Sequence, residues 1–297
     1  MSIGTRAWVL PALLAAVCAG TCGTALAQGD GGFVTKLRAT ATGEELSRQP
    51  GLWVCEVSFK PMRYMRVEVT DPKTGKKTRE LIWYVCYKAI NRPLGQKKAT
   101  DIDPVNDYDP APSKPFFVPE FTLVTDDNGV QKTYHDIVLP EAQAAILKER
   151  EQRKAGGPRY RNSVEVVGPI PEATDAETAP GQTIWGIAMF RGVDPEADHF
   201  RLFMTGFSNG YKLTKLPGSD EPLVLRRTIR QEYWRPGDGI DQNEFEFRLK
   251  GDPVWEYRPD DLKLTEGIEA IDTKPAADKE KPAEEKPAEE KNDAANN

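Results

Sequence analysis

Gly206-Phe207-Ser208-Asn209-Gly210 matches G-x-S-x-G, the pattern that lifts a nucleophilic serine above a sheet in many hydrolases. That chemistry needs a sharp turn from strand into helix, followed in chain order by an acid and a histidine. Here Tyr211-Lys212-Leu213-Thr214 continues as strand, and both histidines, His135 and His199, precede Ser208. Asn209-Gly210 accounts for the pattern as a hairpin turn. Ser208 is therefore expected to be structural. No catalytic residue is assigned.

Metal chemistry has little to work with. Two histidines without a Cys-x-x-Cys pair do not make a zinc site, and His135, between Tyr134 and Asp136, reads as a strand-end residue with a hydrogen-bond partner. Calcium favours clustered oxygen ligands, and Asp101, Asp103, Asp107 and Asp109, with Asn106, crowd one loop. The spacing is not that of an EF-hand, so these four aspartates form a weak calcium candidate beside the plainer reading of a solvated acidic loop. No other cofactor is implied. Acids are too scattered to pick out a glycosidase pair. Tyr233-Trp234 and Trp255-Glu256-Tyr257 fit a stacking platform for sugar or peptide, but in strands they are more often core or cross-strand packing.

The cysteines bear on the elements that would position all these groups. Cys55 and Cys86 are the two that remain once a leader containing Cys18 and Cys22 is removed. If 62–70 and 78–87 form a hairpin about Asp71-Pro72-Lys73-Thr74-Gly75-Lys76, Cys86 faces Pro61. That is six residues from Cys55, or roughly 20 Å along an extended strand, and a disulfide needs Cα atoms within about 7 Å. Only a bend at Pro61 carrying 53–59 onto a facing sheet would join them. A Cys55–Cys86 disulfide and two buried thiols both stay open, the thiols slightly favoured.

Trp53, Cys55, Val57 and Phe59 alternate with Val54, Glu56, Ser58 and Lys60, the period of a half-buried strand. Residues 81–87 are apolar on both faces and belong at the centre of a sheet. Residues 116–125 and 130–138 flank Asp126-Asp127-Asn128-Gly129, a strong hairpin signal. One helix is credible, from Pro140 at its first turn to a stop at Gly156-Gly157, with Ala142, Ala145 and Ile146 as a thin apolar stripe. Further strands are expected at 163–167, 183–190, 200–205, 223–233, 244–249 and 254–257. About ten short strands and one helix, without βαβ alternation, predict a mainly β fold, an antiparallel β-sandwich with one inserted surface helix.

The ends of the chain carry addresses rather than structure. Arg6, the apolar run from Ala7 to Val17 and Ala25-Leu26-Ala27 have the layout of a secretory signal peptide over 1–27. The residues before Cys18 and Cys22 fit lipoprotein processing poorly. Residues 28–50 read as a lead-in, 51–260 as the β-sandwich domain, and 261–297 as a disordered Lys/Pro/Ala/Glu-rich tail containing a repeated Lys-Pro-Ala-Glu-Glu unit. Losing Arg6 takes the net charge from −6 to −7. With no basic block clear of acidic neighbours, nucleic acid is a poor partner, and no later apolar stretch is long enough to span a bilayer.

Several segments together resemble a known group. Trp83-Tyr84-Val85-Cys86-Tyr87-Lys88-Ala89-Ile90-Asn91 is similar to a strand that recurs in bacterial immunoglobulin-like modules. The likeness continues through 117–126, Leu139-Pro140-Glu141-Ala142, 184–190, 198–206 and Tyr233-Trp234-Arg235-Pro236-Gly237-Asp238. In order and spacing these resemble a group of uncharacterised secreted planctomycete proteins, over about residues 52–257. The resemblance implies an exported immunoglobulin-like β-sandwich. It transfers no functional residue.

The sequence reading is thus an exported, non-enzymatic, envelope-associated binding or structural module, periplasmic or extracellular. Contact with envelope protein or polysaccharide would run through a sheet face or the loop 91–115. The alternatives are a hydrolase of envelope polymers, needing a pocket that joins acids or joins His135 to Ser208, and a calcium-stabilised structural domain.

Overall fold

The computed structural model describes residues 32–71, 73–95, 115–127, 130–151, 157–177, 180–215, 220–236 and 247–260. The leader, the aspartates at 101–109 and the tail 261–297 lie outside the described residues. The chain is mainly β, in antiparallel sheets.

The first sheet is built on its longest strand. In chain order come β1 (Thr35–Leu37), a short helix α1 (Gly43–Arg48), β2 (Val54–Phe59), β3 (Arg63–Thr70) and β4 (Lys77–Arg92). β3 and β4 form the expected hairpin, with Arg63 facing Tyr84 and Thr70 facing Lys77. β2 then continues along the same edge of β4, one residue out of step, with Phe59 facing Tyr87 and Val54 facing Arg92. The slip is taken up at Lys60-Pro61-Met62, where proline lacks the donor that an unbroken ladder would need. The Lys60 N–H still donates to the Cys86 carbonyl at 2.9 Å.

β4 is apolar on both faces because both are covered. Trp83, Val85, Tyr87 and Ala89 point into the main core, while Ile82, Tyr84 and Cys86 point to a second cluster on the outer face. The cysteines follow suit. Cys55 lies in the main core and Cys86 on the opposite face. Cys55 faces Asn91, five residues along β4 from Cys86, roughly 17 Å at 3.3 Å per residue. Pro61 does not carry 54–59 onto the other sheet, so Cys55 and Cys86 are two separate buried thiols.

The second sheet faces the first across that core. A two-residue strand β5 (Phe116–Phe117) precedes the hairpin of β6 (Glu120–Asp127) and β7 (Val130–His135). Helix α2 (Pro140–Ile146), with proline in its first turn, runs into a π-helical turn, Leu147–Glu151. Its Ala142 and Ile146 are fully buried against the outer face of the first sheet. β8 (Gly168–Pro169) pairs with β5, and β9 (Thr183–Arg191) returns to the first sheet on the free side of β4. Then come β10 (His199–Thr205), β11 (Tyr211–Lys215), β12 (Pro222–Trp234) and β13 (Arg248–Arg258).

The long strand β12 organises this sheet. At Thr228 its neighbours are Thr205 of β10 and Glu256 of β13; at Arg226 they are Tyr211 of β11 and Arg258 of β13. β10 and β11 therefore lie end to end on one edge of β12, as β3 and β2 do on β4. Phe121, Leu123, Phe200, Leu202, Ile229 and Tyr233 enter the shared core. There Phe200 stacks on Tyr233 at 5.0 Å and meets Trp83 edge-on at 5.1 Å. Burying each such side chain contributes about 1.5–3 kcal/mol.

Within the segment expected as a lead-in, residues 32–50 hold β1 and α1, the latter started by a capping box in which Thr42 and Glu45 satisfy each other's backbone N–H. Two strand expectations are corrected. Residues 163–166 form a turn rather than a strand, because the Asn162 side-chain oxygen accepts the N–H groups of Val164 and Glu165. Arg248 and Leu249, from the segment expected at 244–249, run on with 254–257 in one strand, β13, across Gly251-Asp252-Pro253, while 244–246 lie outside the described residues. Gly251, at φ 73°, marks the irregularity there, opposite the register shift between Arg230 and Glu232.

Candidate functional site

The G-x-S-x-G segment ties the two sheets together. Gly206 has φ 84°, and a Cβ there would run into the Val118 carbonyl, so only glycine fits. Phe207 is wholly buried, and its carbonyl accepts the Cys55 N–H at 2.9 Å. Ser208 Oγ donates to the Trp53 carbonyl at 2.9 Å and accepts the Gly210 N–H at 3.0 Å. Asn209 accepts the Trp53 N–H at 2.8 Å and donates to the Gly51 carbonyl at 2.9 Å. The segment is not the hairpin turn expected from Asn209-Gly210, since β10 and β11 run in the same direction along β12. It dips out of that edge to staple the start of β2. Replacing Ser208 by alanine leaves the buried Gly210 N–H without its acceptor and should lower unfolding free energy by about 1–2 kcal/mol, measured by urea denaturation.

His135 and Ser208 line different cavities. The cavity beside His135, about 350 Å³, also brings in Glu120, Asp136, Ser163, Arg258 and Asp260. His135 ends β7, with Nδ1 3.5 Å from the Thr122 hydroxyl across the strand pair. Asp136 is a brace between the sheets: it accepts the Met189 N–H at 2.6 Å, together with bonds from Ser163 and the Ile137 backbone. Burial pushes its carboxyl up to about 6 against those bonds.

A raised acid favours the protonated folded state, so its share of stability is complete below the unfolded value, near 3.8, and is lost as pH rises through about 6. Two units correspond to about 3 kcal/mol. Denaturation of Asp136→Asn between pH 4 and 7 should lack this slope; an unchanged slope refutes the assignment.

The aromatic stretches are mostly consumed by packing. Tyr233 is in the core. Trp255 Nε1 donates to the Arg38 carbonyl at 3.1 Å, and the Arg227 guanidinium lies 4.8 Å over its ring. The Tyr257 hydroxyl donates to Glu45. Burial would raise the Glu45 carboxyl, but Tyr257, Thr42 and the Arg227 charge together hold it below its ordinary value. Trp234 is the most exposed of these rings, while Trp255 and Tyr257 are half-buried. Among the described residues no group of three or more His, Cys, Asp or Glu side chains could hold a metal ion, and no helix is long and apolar enough to cross a membrane.

A different surface stands out. β11 has β12 on one side and, among the described residues, no strand on the other. The Arg227 N–H donates to the Gly210 carbonyl at 2.8 Å. Alternation along the ladder therefore turns the backbone groups of Lys212 and Thr214 towards β12, and those of Tyr211, Leu213 and Lys215 towards the open edge. The Tyr211 N–H is taken by the Gln49 side chain at 3.3 Å; among the described residues none caps Leu213 or Lys215 in this way.

Beside Tyr211 lies a groove of about 420 Å³ lined by Trp53, the 208–210 segment, Phe116, Val118, Tyr211 and Val224, with Glu120 and Arg226 also in its walls. Leu213 is 66% exposed and Phe116 59%, and Val118, Tyr211 and Val224 are exposed as well. Contiguous exposed apolar surface beside an open strand is a contact site or an aggregation liability. This surface is not legible in the sequence. The only local signal was an alternating Tyr-Lys-Leu-Thr-Lys run, because the other walls come from 116–118 and 224.

In comparisons with protein-family models, curated proteins and solved structures, the chain matches none.

Proposed function

We propose that this protein is an exported, non-enzymatic binding or structural module of the cell envelope, built as an immunoglobulin-like β-sandwich, which joins another protein along the open edge of β11. The observation that carries this reading is the pairing of outward-turned backbone groups at Leu213 and Lys215 with the adjoining apolar groove. Together they suit an added strand: main-chain bonds supply affinity and alternate side chains supply selectivity. Export rests on the layout of residues 1–27.

Strand order supports the immunoglobulin-like part. The chain passes from β4 to β6 and β7 in the facing sheet, returns to β9 beside β4, then crosses to β10 beside β6 and on to β12. That order is compatible with strands B, C, C′, E, F and G of that fold, which is what supports the reading. Among the described residues the inter-sheet disulfide of antibody domains has no counterpart, Cys55 and Cys86 being free thiols.

The test is a photo-crosslinking side chain placed at Leu213, with Val164 as an equally exposed control elsewhere. In whole envelopes the account expects a discrete protein adduct at 213 and none at 164. The same adducts from both positions, or none from either, rule the reading out.

A further inference from the structure

We propose that the strand received by β11 is β11 of a second copy of this chain, in an antiparallel pair centred on Leu213; this rests on reading that edge as the contact surface. The strand complements itself. Pairing about Leu213 sets Tyr211 against the partner's Lys215 at both ends, Lys212 against the partner's Thr214, and no like charges face each other. Lysine over tyrosine is a contact this chain already makes, with Lys212 Nζ 4.3 Å from the Tyr257 ring centre.

Backbone geometry agrees with that centre. Leu213 turns both N–H and C=O outwards, so the two copies exchange two bonds at the axis. The Lys215 N–H of each copy then faces the Tyr211 carbonyl of the other, and completing that outer pair requires Gln49 to release the Tyr211 N–H, which it holds at 3.3 Å.

Shape points the same way. β10 ends at Thr205, so β11 and the first residues of β12 extend as a largely exposed two-stranded arm. The apolar groove opens at the base of that arm. Antiparallel pairing lays the end of each arm beside the groove of the other, a closed two-fold contact that cannot propagate into a fibre.

The test is Leu213→Cys in the processed chain, whose own Cys55 and Cys86 are buried, with dissolved oxygen as oxidant. Directly paired residues of this type have Cα atoms about 5.5 Å apart, within disulfide range. Lys215→Cys is the control, because its symmetry mates would stand roughly 14 Å apart. We expect a disulfide-linked dimer from L213C at roughly tenfold or more the yield from K215C. Wild type should sediment as a dimer that dissociates on dilution, and Leu213→Pro, which removes the central donor, should be monomeric. Equal cross-linking of the two cysteine variants, or a wild type monomeric at every concentration, overturns the proposal. A photo-adduct at 213 with a different protein, without self-linking, overturns the second copy while leaving β11 as the contact surface.

Discussion

Gly186→Ala should cost the protein roughly 3 kcal/mol, lowering its thermal midpoint by about 6–12 °C for a domain of this size. Gly186 sits in β9 directly opposite Tyr87, and a Cβ there would fall inside the Tyr87 ring. The ring cannot swing away. It is fully buried, meets Phe121 and Phe207 at 5.2 Å each, and lies in a core packed from both sheets. Glycine in the middle of a strand ordinarily weakens it; here it makes the space into which the tyrosine lies down. The decisive comparison adds Tyr87→Val. If the clash is the cause, the second substitution costs less in the alanine background than alone, giving a coupling of 1 kcal/mol or more on the order expected for touching residues. Additive costs would locate the effect elsewhere.

Arg227→Ala is expected to be comparably severe, at about 3 kcal/mol, by a different mechanism. Arg227 is 4% exposed, donates to the Thr40 carbonyl at 2.6 Å, and lies 3.5 Å from Glu45 and over Trp255. It is the post to which 38–49, including α1, is tied. Removing one partner of a buried ion pair leaves the other uncompensated, which is why the loss exceeds the worth of an exposed pair. Lysine should not rescue it, because one ammonium cannot reach a carbonyl and a carboxylate while covering an indole face. Limited proteolysis supplies a local readout: cleavage within 38–49 should accelerate before global unfolding. A variant that melts with wild type and resists cleavage there would refute the clamp.

Much of the framework was legible where local chemistry and tertiary demand agree. The β3–β4 register followed from the turn at 71–76, the central place of β4 from its two apolar faces, and the β6–β7 hairpin from Asn128-Gly129 between two runs. The failures have physical causes. Val164-Glu165-Val166 alternates like a strand, but Asn162 captures its backbone. Thr42-Gly43-Glu44-Glu45 is a capping box on a helix with no buried residue, so no apolar period announced it. Asn209-Gly210 has strands on both sides and reads as a hairpin; that β10 and β11 share one edge is decided by β12, more than ten residues on. The groove was out of reach for the same reason, since its walls are assembled by the fold.

Amide hydrogen exchange along β11 tests the central claim most directly. In dilute protein, Lys212 and Thr214, bonded to β12, should be protected, while Leu213 and Lys215 exchange at nearly the rate of unstructured chain. On raising the protein concentration, or on adding envelope extract, protection should appear at Leu213 and Lys215. If those two amides are already protected in dilute solution, or stay unprotected under both conditions, β11 is not the surface through which this protein makes its contacts.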